Sequence, residues 1–257
     1  MVMSAPGPAL PVLSTERLTV RFDGRAVLKD VSIEIPLGRV VSIIGPAGSG
    51  KTTLLRSFNR MNELIPGAKT AGTVHFQGVD LYDADIDQAE VRRRIGMVFQ
   101  KATLFPKSVF DNVAFGLRAK GVEGDLHGLV EEALTVVGLW SGGAEVLDAR
   151  ALDLTAGEQR RLSIARALAL KPDCLLLDEP TAALDPAASA KVESIIHALR
   201  HECTIVLATS DHTQAGRLSD LTAYLDSGRL MEYGATQELF TNPRNERTES
   251  YLTGRLP

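Results

Sequence analysis

One short stretch of the sequence contains the residue types that a phosphate-binding loop requires. It reads Gly45-Pro46-Ala47-Gly48-Ser49-Gly50-Lys51-Thr52 and fits the pattern G-x-x-x-x-G-K-S/T, directly after an apolar run at residues 40–44. Glycines let successive amides converge on phosphate oxygens, Lys51 adds a mobile positive charge, and the Thr52 hydroxyl can coordinate Mg²⁺. We expect the nucleotide contacts to extend to Thr53. The stretch therefore predicts binding of a nucleoside triphosphate and disfavours a plain glycine-rich turn.

Two carboxylates, Asp178 and Glu179, follow a second apolar run at residues 174–177. Polar groups at the carboxyl end of a buried strand lie where open α/β sheets bind ligands. We expect Asp178 to hold Mg²⁺ through water, and Glu179 to polarise an attacking water or accept its proton. An Asp-Glu pair alone is typical of a solvated strand end, but its place after an apolar run and downstream of the phosphate loop favours catalysis.

The hydrophobic pattern predicts the elements that would position these groups. Strands are predicted at residues 18–22 and 31–35, as an antiparallel pair, and at 40–44, 72–76, 95–99, 174–177 and 204–208. Helices are predicted at residues 52–61, 111–137, 157–170 and 187–199, followed by two short strands from 221 and a helix near 236–240. The small, proline-containing residues 1–14 predict a flexible tail before a folded domain at 15–257.

The composition narrows the function classes. The chain has 257 residues, a net charge of −4 with interspersed signs, and two cysteines without metal-ligand or disulfide spacing. We therefore expect no nucleic-acid partner and reduced thiols in the cytoplasm. The apolar runs are shorter than the roughly 20 residues that span a bilayer, and residues 1–13 lack the basic segment of a signal peptide.

Several separated segments resemble the ATP-binding subunits of ABC transporters, from about residue 15 to the end. Gln100 follows a predicted strand as in the family's Q-loop, Leu154-Thr155-Ala156-Gly157-Glu158-Gln159 resembles the signature LSGGQ, and Ala183-Leu184-Asp185 matches the D-loop. The resemblance implies that Gln100 contacts Mg²⁺ and the attacking water. It also implies a head-to-tail dimer in which a second subunit's ATP meets Thr155, Ala156, Gly157, Glu158 and Asp185. A helix start suits that contact, because its free amides and dipole attract phosphate.

The resemblance also implies a fold and a base contact. The fold is α/β, a three-layer P-loop NTPase core of ABC ATPase type with a small antiparallel β subdomain and a helical subdomain at about residues 101–170. Phe22 matches the aromatic residue that stacks on adenine in this family, although an alternating strand would also place a Phe in the core. Both interpretations of Phe22 stay open.

Segments outside the shared ATPase motifs resemble the phosphate-specific importers. They are residues 60–68, 92–101, 104–108, 111–117, 240–243, 247–249, 251 and 253–255. The resemblance implies two membrane permease subunits as partners, a phosphate-binding protein that acts through the complex, and a peripheral location at the cytoplasmic face of the membrane. A homodimer is expected, while pairing with a second ATPase stays open. Other solutes such as amino acids, and a regulatory clamp with little turnover, are the alternatives.

Three positions depart from the family pattern. Ser210 stands where the family has its switch histidine, and His212, two residues on, fits better as a surface histidine at a helix start. Ala156 adds a methyl group where glycine normally allows close approach, and Glu158 brings a negative charge toward the triphosphate. Since removing one transition-state donor can cost on the order of a hundredfold in rate, we expect intact ATP binding and slow hydrolysis.

Overall fold

Two β-sheets organise residues 11–255, the part of the chain that the computed structural model describes. The strands are β1 (Leu13–Phe22), β2 (Arg25–Ile35), β3 (Val40–Ile44), β4 (Ala68–Phe76), β5 (Val79–Asp80), β6 (Ile95–Val98), β7 (Cys174–Asp178), β8 (Thr204–Thr209), β9 (Leu221–Asp226) and β10 (Arg229–Ala235). The helices are α1 (Lys51–Phe58), α2 (Gln88–Arg94), α3 (Val109–Ala119), α4 (Leu126–Val136), α5 (Ala144–Asp148), α6 (Ala156–Leu168), α7 (Pro186–Leu199), α8 (His212–Leu218), α9 (Thr236–Thr241) and α10 (Glu246–Leu252).

The larger sheet brings the predicted site residues to one edge. Its order is β10-β9-β3-β8-β7-β6, and β9, β3, β8, β7 and β6 run parallel. Strand β8 lies between β3 and β7, with Thr209 paired to Ile44 and Ala208 paired to Asp178. The three strands therefore end at nearly the same level, so that the phosphate loop, Ser210 and the acidic pair follow neighbouring strand ends.

The larger sheet is the middle of three layers, because successive side chains of its buried strands pack into cores on opposite faces. Ile205 and Leu207 of β8 face a core shared with α3, α4, α6 and α7, whereas Val206 and Ala208 face a core shared with α1 and the smaller sheet. Both faces of the central strands are thus covered, which explains why β3, β7 and β8 read as continuous apolar runs. The predicted ABC ATPase type of α/β fold is confirmed.

The smaller sheet has the order β2-β1-β4-β5 and is antiparallel throughout. It includes the antiparallel pair predicted at residues 18–22 and 31–35. Leu13 and Ser14 already belong to β1, and Leu13 is fully buried, so the predicted tail boundary at residue 14 is too late. Residues 1–10 of that predicted tail lie outside the described residues.

The middle of the chain is helical, as expected, but not as one element. The region of helical spacing predicted at residues 111–137 forms two helices, α3 and α4, because Gly121 and Gly124 between them have φ angles of 69° and 117°. Such left-handed backbone is incompatible with a continuing helix. Helices α3, α4 and α6 pack around Val113, Val130 and Leu162. Within residues 11–255, no helix has the length and apolar character needed to cross a bilayer.

Candidate nucleotide-binding site

Two glycines of the phosphate loop occupy positions where a side chain would collide with neighbouring atoms. Gly45 has a φ of 151° and Gly50 has a φ of 106°. A Cβ on Gly45 would collide with the Leu225 carbonyl oxygen, and one on Gly50 would lie 2.8 Å from Leu28 Cδ2. Both positions therefore require glycine, and Gly50 leaves the first amides of α1 without a capping side chain. Free amides at a helix start are suited to phosphate oxygens.

The rest of the loop lies around this turn. Pro46 is half-buried, Ala47 and Gly48 are exposed, and Thr53 lies half-buried in the first turn of α1. Ser49 is only 3% exposed, and its Oγ has no hydrogen-bond partner among the described residues. An unpaired hydroxyl in a phosphate loop fits a nucleotide, whose phosphate oxygens can accept a hydrogen bond from it.

Lys51 is held over the loop by backbone and by the acidic pair. Its Nζ donates hydrogen bonds to the carbonyl oxygens of Gly45 and Pro46 at 2.8 and 3.1 Å, and it lies 3.8 Å from Glu179 Oε1. Burial lowers the pKa of Lys51, while the charges of Glu179 and Asp178 oppose that shift. The ammonium group is therefore at the site and can exchange carbonyl oxygens for phosphate oxygens.

Thr52 and Asp178 form an oxygen-rich pair. Thr52 Oγ1 donates a hydrogen bond of 2.9 Å to Asp178 Oδ1, although 126 residues separate them in the chain. Asp178 is 3% exposed, and burial raises the pKa of its carboxyl group, with the Thr52 hydrogen bond and the Arg56 charge acting in the opposite direction. A buried carboxylate next to a hydroxyl is the donor set that Mg²⁺ prefers, so these residues fit the metal.

Glu179 sits in a strained backbone position. Its φ is 47°, a value that non-glycine residues rarely adopt, and its amide donates to Ala208 O at 2.8 Å. Such a conformation costs about 1–3 kcal/mol and is typical of functional sites. The half-buried carboxylate is directed to Lys51, which places a base next to the phosphate-binding cation.

Gln100 lies at a cleft of about 370 Å³ next to the Thr52–Asp178 pair. The cleft is lined by Thr52, Arg56, Phe99, Gln100, Lys101, Thr103 and Asp178. The structure thus brings the predicted Q-loop residue to the predicted metal ligands. Sequence reasoning missed Arg56 here, since a single Arg in a helix gives no signal of its own.

Arg160 fixes the backbone of the Q-loop and was also missed. It is 4% exposed on α6, and its guanidinium donates to Phe99 O at 2.6 Å and to Gln100 O. The Q-loop is therefore attached to the helix that begins with the signature segment. The contact spans 60 residues of chain, so local pattern could not reveal it.

The signature segment begins α6 through a reciprocal cap. Thr155 is the N-cap, and its Oγ1 accepts the Glu158 amide at 3.4 Å. Glu158 Oε2 in turn accepts the Thr155 amide at 2.9 Å and the Thr155 hydroxyl at 2.7 Å. These hydrogen bonds lower the pKa of Glu158, so its carboxylate is negatively charged at neutral pH.

The other signature residues differ in burial. Ala156 is exposed beside Thr155, whereas Gly157 is buried where a Cβ would lie 2.7 Å from Ala188 Cβ of α7. The described residues lining the cleft near Asp178 include none of the signature segment. Asp185, the predicted D-loop residue, is exposed and caps α7 by accepting the Ala188 amide at 2.9 Å.

The switch position lies at the end of β8. Ser210 is exposed, and its carbonyl oxygen accepts the Tyr251 hydroxyl at 3.2 Å. His212 is the first residue of α8 and packs edge-on against Tyr251, with ring centroids 5.9 Å apart. This packing favours the interpretation of His212 as a helix-start histidine. Phe22 is half-buried at the end of β1 and packs against the core of the smaller sheet.

Comparison with known proteins decides the family. The chain matches the family model described as ABC transporter over residues 28–182. The chain belongs to the ABC transporter family. Its solved relatives include cbiO1 from Clostridium perfringens, part of the ABC transporter complex cbiONQ, with a TM-score of 0.79 and 28% identity over 95% of this chain and 96% of that one.

An ATP-bound bacterial Atm1-family ABC exporter also has a TM-score of 0.79, at 26% identity over 98% of this chain. This chain spans 44% of that exporter chain.

Two curated relatives of this ABC ATPase are named as phosphate import ATP-binding proteins. A Phosphate import ATP-binding protein PstB of Salinibacter ruber (strain DSM 13855 / M31) is 49% identical over 246 residues, which cover 96% of this chain and 99% of that protein. A Phosphate import ATP-binding protein PstB 1 of Synechococcus sp. (strain JA-2-3B'a(2-13)) is 45% identical over 253 residues, covering 95% and 92%. The predicted resemblance to ABC transporter subunits of the phosphate-import type is confirmed.

Proposed function

We propose that this chain binds and hydrolyses ATP to drive inorganic phosphate uptake by an ABC importer. The placement of Lys51 over the phosphate loop, 3.8 Å from the Glu179 carboxylate, is the observation that carries the ATP chemistry. The similarity to phosphate import ATP-binding proteins at 45–49% identity supports the cargo. Phosphate itself does not enter this subunit; the subunit supplies the closing and opening motion.

Each residue of the ATP site has its own role. The amides of residues 45–51 and the Lys51 ammonium bind the β- and γ-phosphates, and the ring of Phe22 stacks on adenine. Thr52, Asp178 and Gln100 hold Mg²⁺, which neutralises charge on the phosphates when it is bound. Glu179 accepts the proton of the attacking water, which Gln100 helps to orient. Ser210 occupies the switch position with a short hydroxyl.

The second half of each composite site comes from another copy of the chain in a head-to-tail homodimer. Thr155, Ala156, Gly157 and Glu158 meet the γ-phosphate across that interface, together with Asp185. The capping contact between Thr155 and Glu158 keeps a carboxylate at this helix start. Closure is therefore weakened, and hydrolysis is slow unless partner proteins compensate.

The partners are two membrane permease subunits and, through them, a phosphate-binding protein. This subunit works at the cytoplasmic face of the membrane. The Thr155–Glu158 contact also favours a second candidate function, an ATP-dependent regulatory clamp with little turnover. Turnover in the assembled complex separates the two, because a clamp binds ATP tightly and hydrolyses almost none.

Lys51→Ala tests the ATP site. Losing a charge-assisted hydrogen bond of about 3 kcal/mol should weaken MgATP binding roughly a hundredfold. Isothermal titration calorimetry measures the change, and Lys120→Ala, which removes an exposed lysine at the end of α3, is the matched control. Equal affinities for the two variants would rule out nucleotide binding at this loop. Repeating the titration with EDTA, and with Asp178→Asn, tests the Mg²⁺ ligands.

A further inference from the structure

The carboxyl-terminal helix α10 sends one aromatic side chain into the edge of the nucleotide site. Tyr251 is 6% exposed, and its ring packs in a cluster with Ile44, the residue before the phosphate loop. The ring stacks on Tyr224 with centroids 5.0 Å apart and meets the edge of His212 at 5.9 Å. Three elements, β3, β9 and α8, therefore fix the position of this ring.

The Tyr251 hydroxyl lies near both the Ser210 segment and the start of the phosphate loop. It donates a hydrogen bond of 3.2 Å to the carbonyl oxygen of Ser210, the residue at the switch position. Burial raises the pKa of Tyr251 to about 12, while hydrogen bonding with the Gly45 backbone acts in the opposite direction and the Glu179 charge adds to the rise. The hydroxyl is therefore protonated at neutral pH and close to the start of the phosphate loop.

We propose that Tyr251 is a positioning residue that fastens the Ser210 segment beside the phosphate loop, so that helix α10 sets the geometry of ATP hydrolysis. Tyr251 touches neither the reacting atoms nor the nucleotide in this role; it acts through the backbone of Ser210. A backbone tether suits this chain, because Ser210 is exposed at the surface and leads into α8 at His212. The inference rests on the proposed hydrolytic role of the Ser210 segment.

The test is Tyr251→Phe, which removes the hydroxyl and keeps the stacked ring. The matched control is Tyr224→Phe, which removes the hydroxyl of the neighbouring ring without touching Ser210. We expect kcat for ATP to fall about fivefold in Tyr251→Phe, the size of one lost hydrogen bond, with KM unchanged. The control should keep kcat, and both variants should melt at similar temperatures.

A second readout does not depend on turnover. In Tyr251→Phe, hydrogen exchange of the amides at residues 209–213 should become several-fold faster, while exchange in α4 stays unchanged. Unchanged exchange at residues 209–213 together with unchanged kcat would overturn the proposal. Absence of turnover in the unaltered protein would instead contradict the proposed function, and the exchange data would still decide the role of Tyr251.

Discussion

The phosphate loop leads into α1 and the signature segment leads into α6, but only α6 has a side chain that caps its first amides. At α1 the N-cap is Gly50, which has no side chain to offer, and the nearby charge is the Lys51 ammonium. At α6 the N-cap is Thr155, and its amide and hydroxyl are both bonded to the Glu158 carboxylate. One start presents donors and a cation to phosphate, whereas the other already holds an anion.

Because of this difference, we expect the start of α1 to favour ATP binding and the start of α6 to weaken closure of the dimer. A triphosphate adds favourable charge interactions at the start of α1, since the helix dipole and Lys51 both attract it. In the proposed dimer, a phosphate at the start of α6 would meet a carboxylate of like charge and would have to compete for the Thr155 hydroxyl. We therefore expect a chain that binds ATP well as a single subunit and closes its dimer weakly.

Among these variants, Glu179→Gln should have the largest effect on ATP turnover. An amide cannot accept the proton of water, so turnover should fall on the order of a hundredfold or more, while MgATP affinity stays within about twofold. A coupled phosphate-release assay measures the rate. Glu202→Gln, at an exposed site after α7, is the control that should leave the rate unchanged. Retained turnover in Glu179→Gln would remove Glu179 from the mechanism.

Ser210→His sharpens the comparison at the switch position. An imidazole reaches further than a hydroxyl and adds a donor for the γ-phosphate, so we expect steady-state turnover to rise about tenfold. Ser141→His, the same substitution in an exposed loop before α5, is the control. An unchanged rate in purified Ser210→His would show that the missing histidine does not limit hydrolysis.

Glu158→Gln should have the smallest effect. It removes the charge and keeps an oxygen that can accept the Thr155 amide, so turnover should rise about two- to fivefold without loss of stability. Glu158→Ala removes both the charge and the acceptor of the Thr155 amide, leaves Thr155 as the N-cap, and should lower the free energy of unfolding by about 1 kcal/mol. Should Glu158→Gln slow turnover, the like-charge explanation of weak closure is wrong.

Much of the site was predictable because its motifs are local. The strand, loop and helix at residues 40–58 follow from one run of apolar residues and one glycine pattern, and β3 has the predicted bounds. The helical character predicted for residues 111–137 is confirmed, but the break at Gly121 and Gly124 does not show in the apolar spacing. The reciprocal cap at α6 also had a signal, since Thr155 and Glu158 have the spacing of a capping box.

Contacts between distant parts of the chain could not be predicted. Arg160 reaches the Q-loop across 60 residues, and Tyr251 reaches Ser210 across 41. Neither contact produces periodicity or a motif, because each depends on how α6 and α10 pack against the strand ends.

The central claim, that binding is intact and closure is weak, is tested most directly by ATP-dependent dimerisation in a Glu179→Gln background. Analytical ultracentrifugation with saturating MgATP compares that variant with one that also carries Ser210→His and Glu158→Gln, and calorimetry measures ATP affinity in both. At a protein concentration at which both variants stay monomeric, we predict equal ATP affinities. At the higher concentration used for ultracentrifugation, we predict a larger dimer fraction when the two residues are changed. Equal dimer fractions, or an ATP affinity that rises with the two changes, would contradict the account.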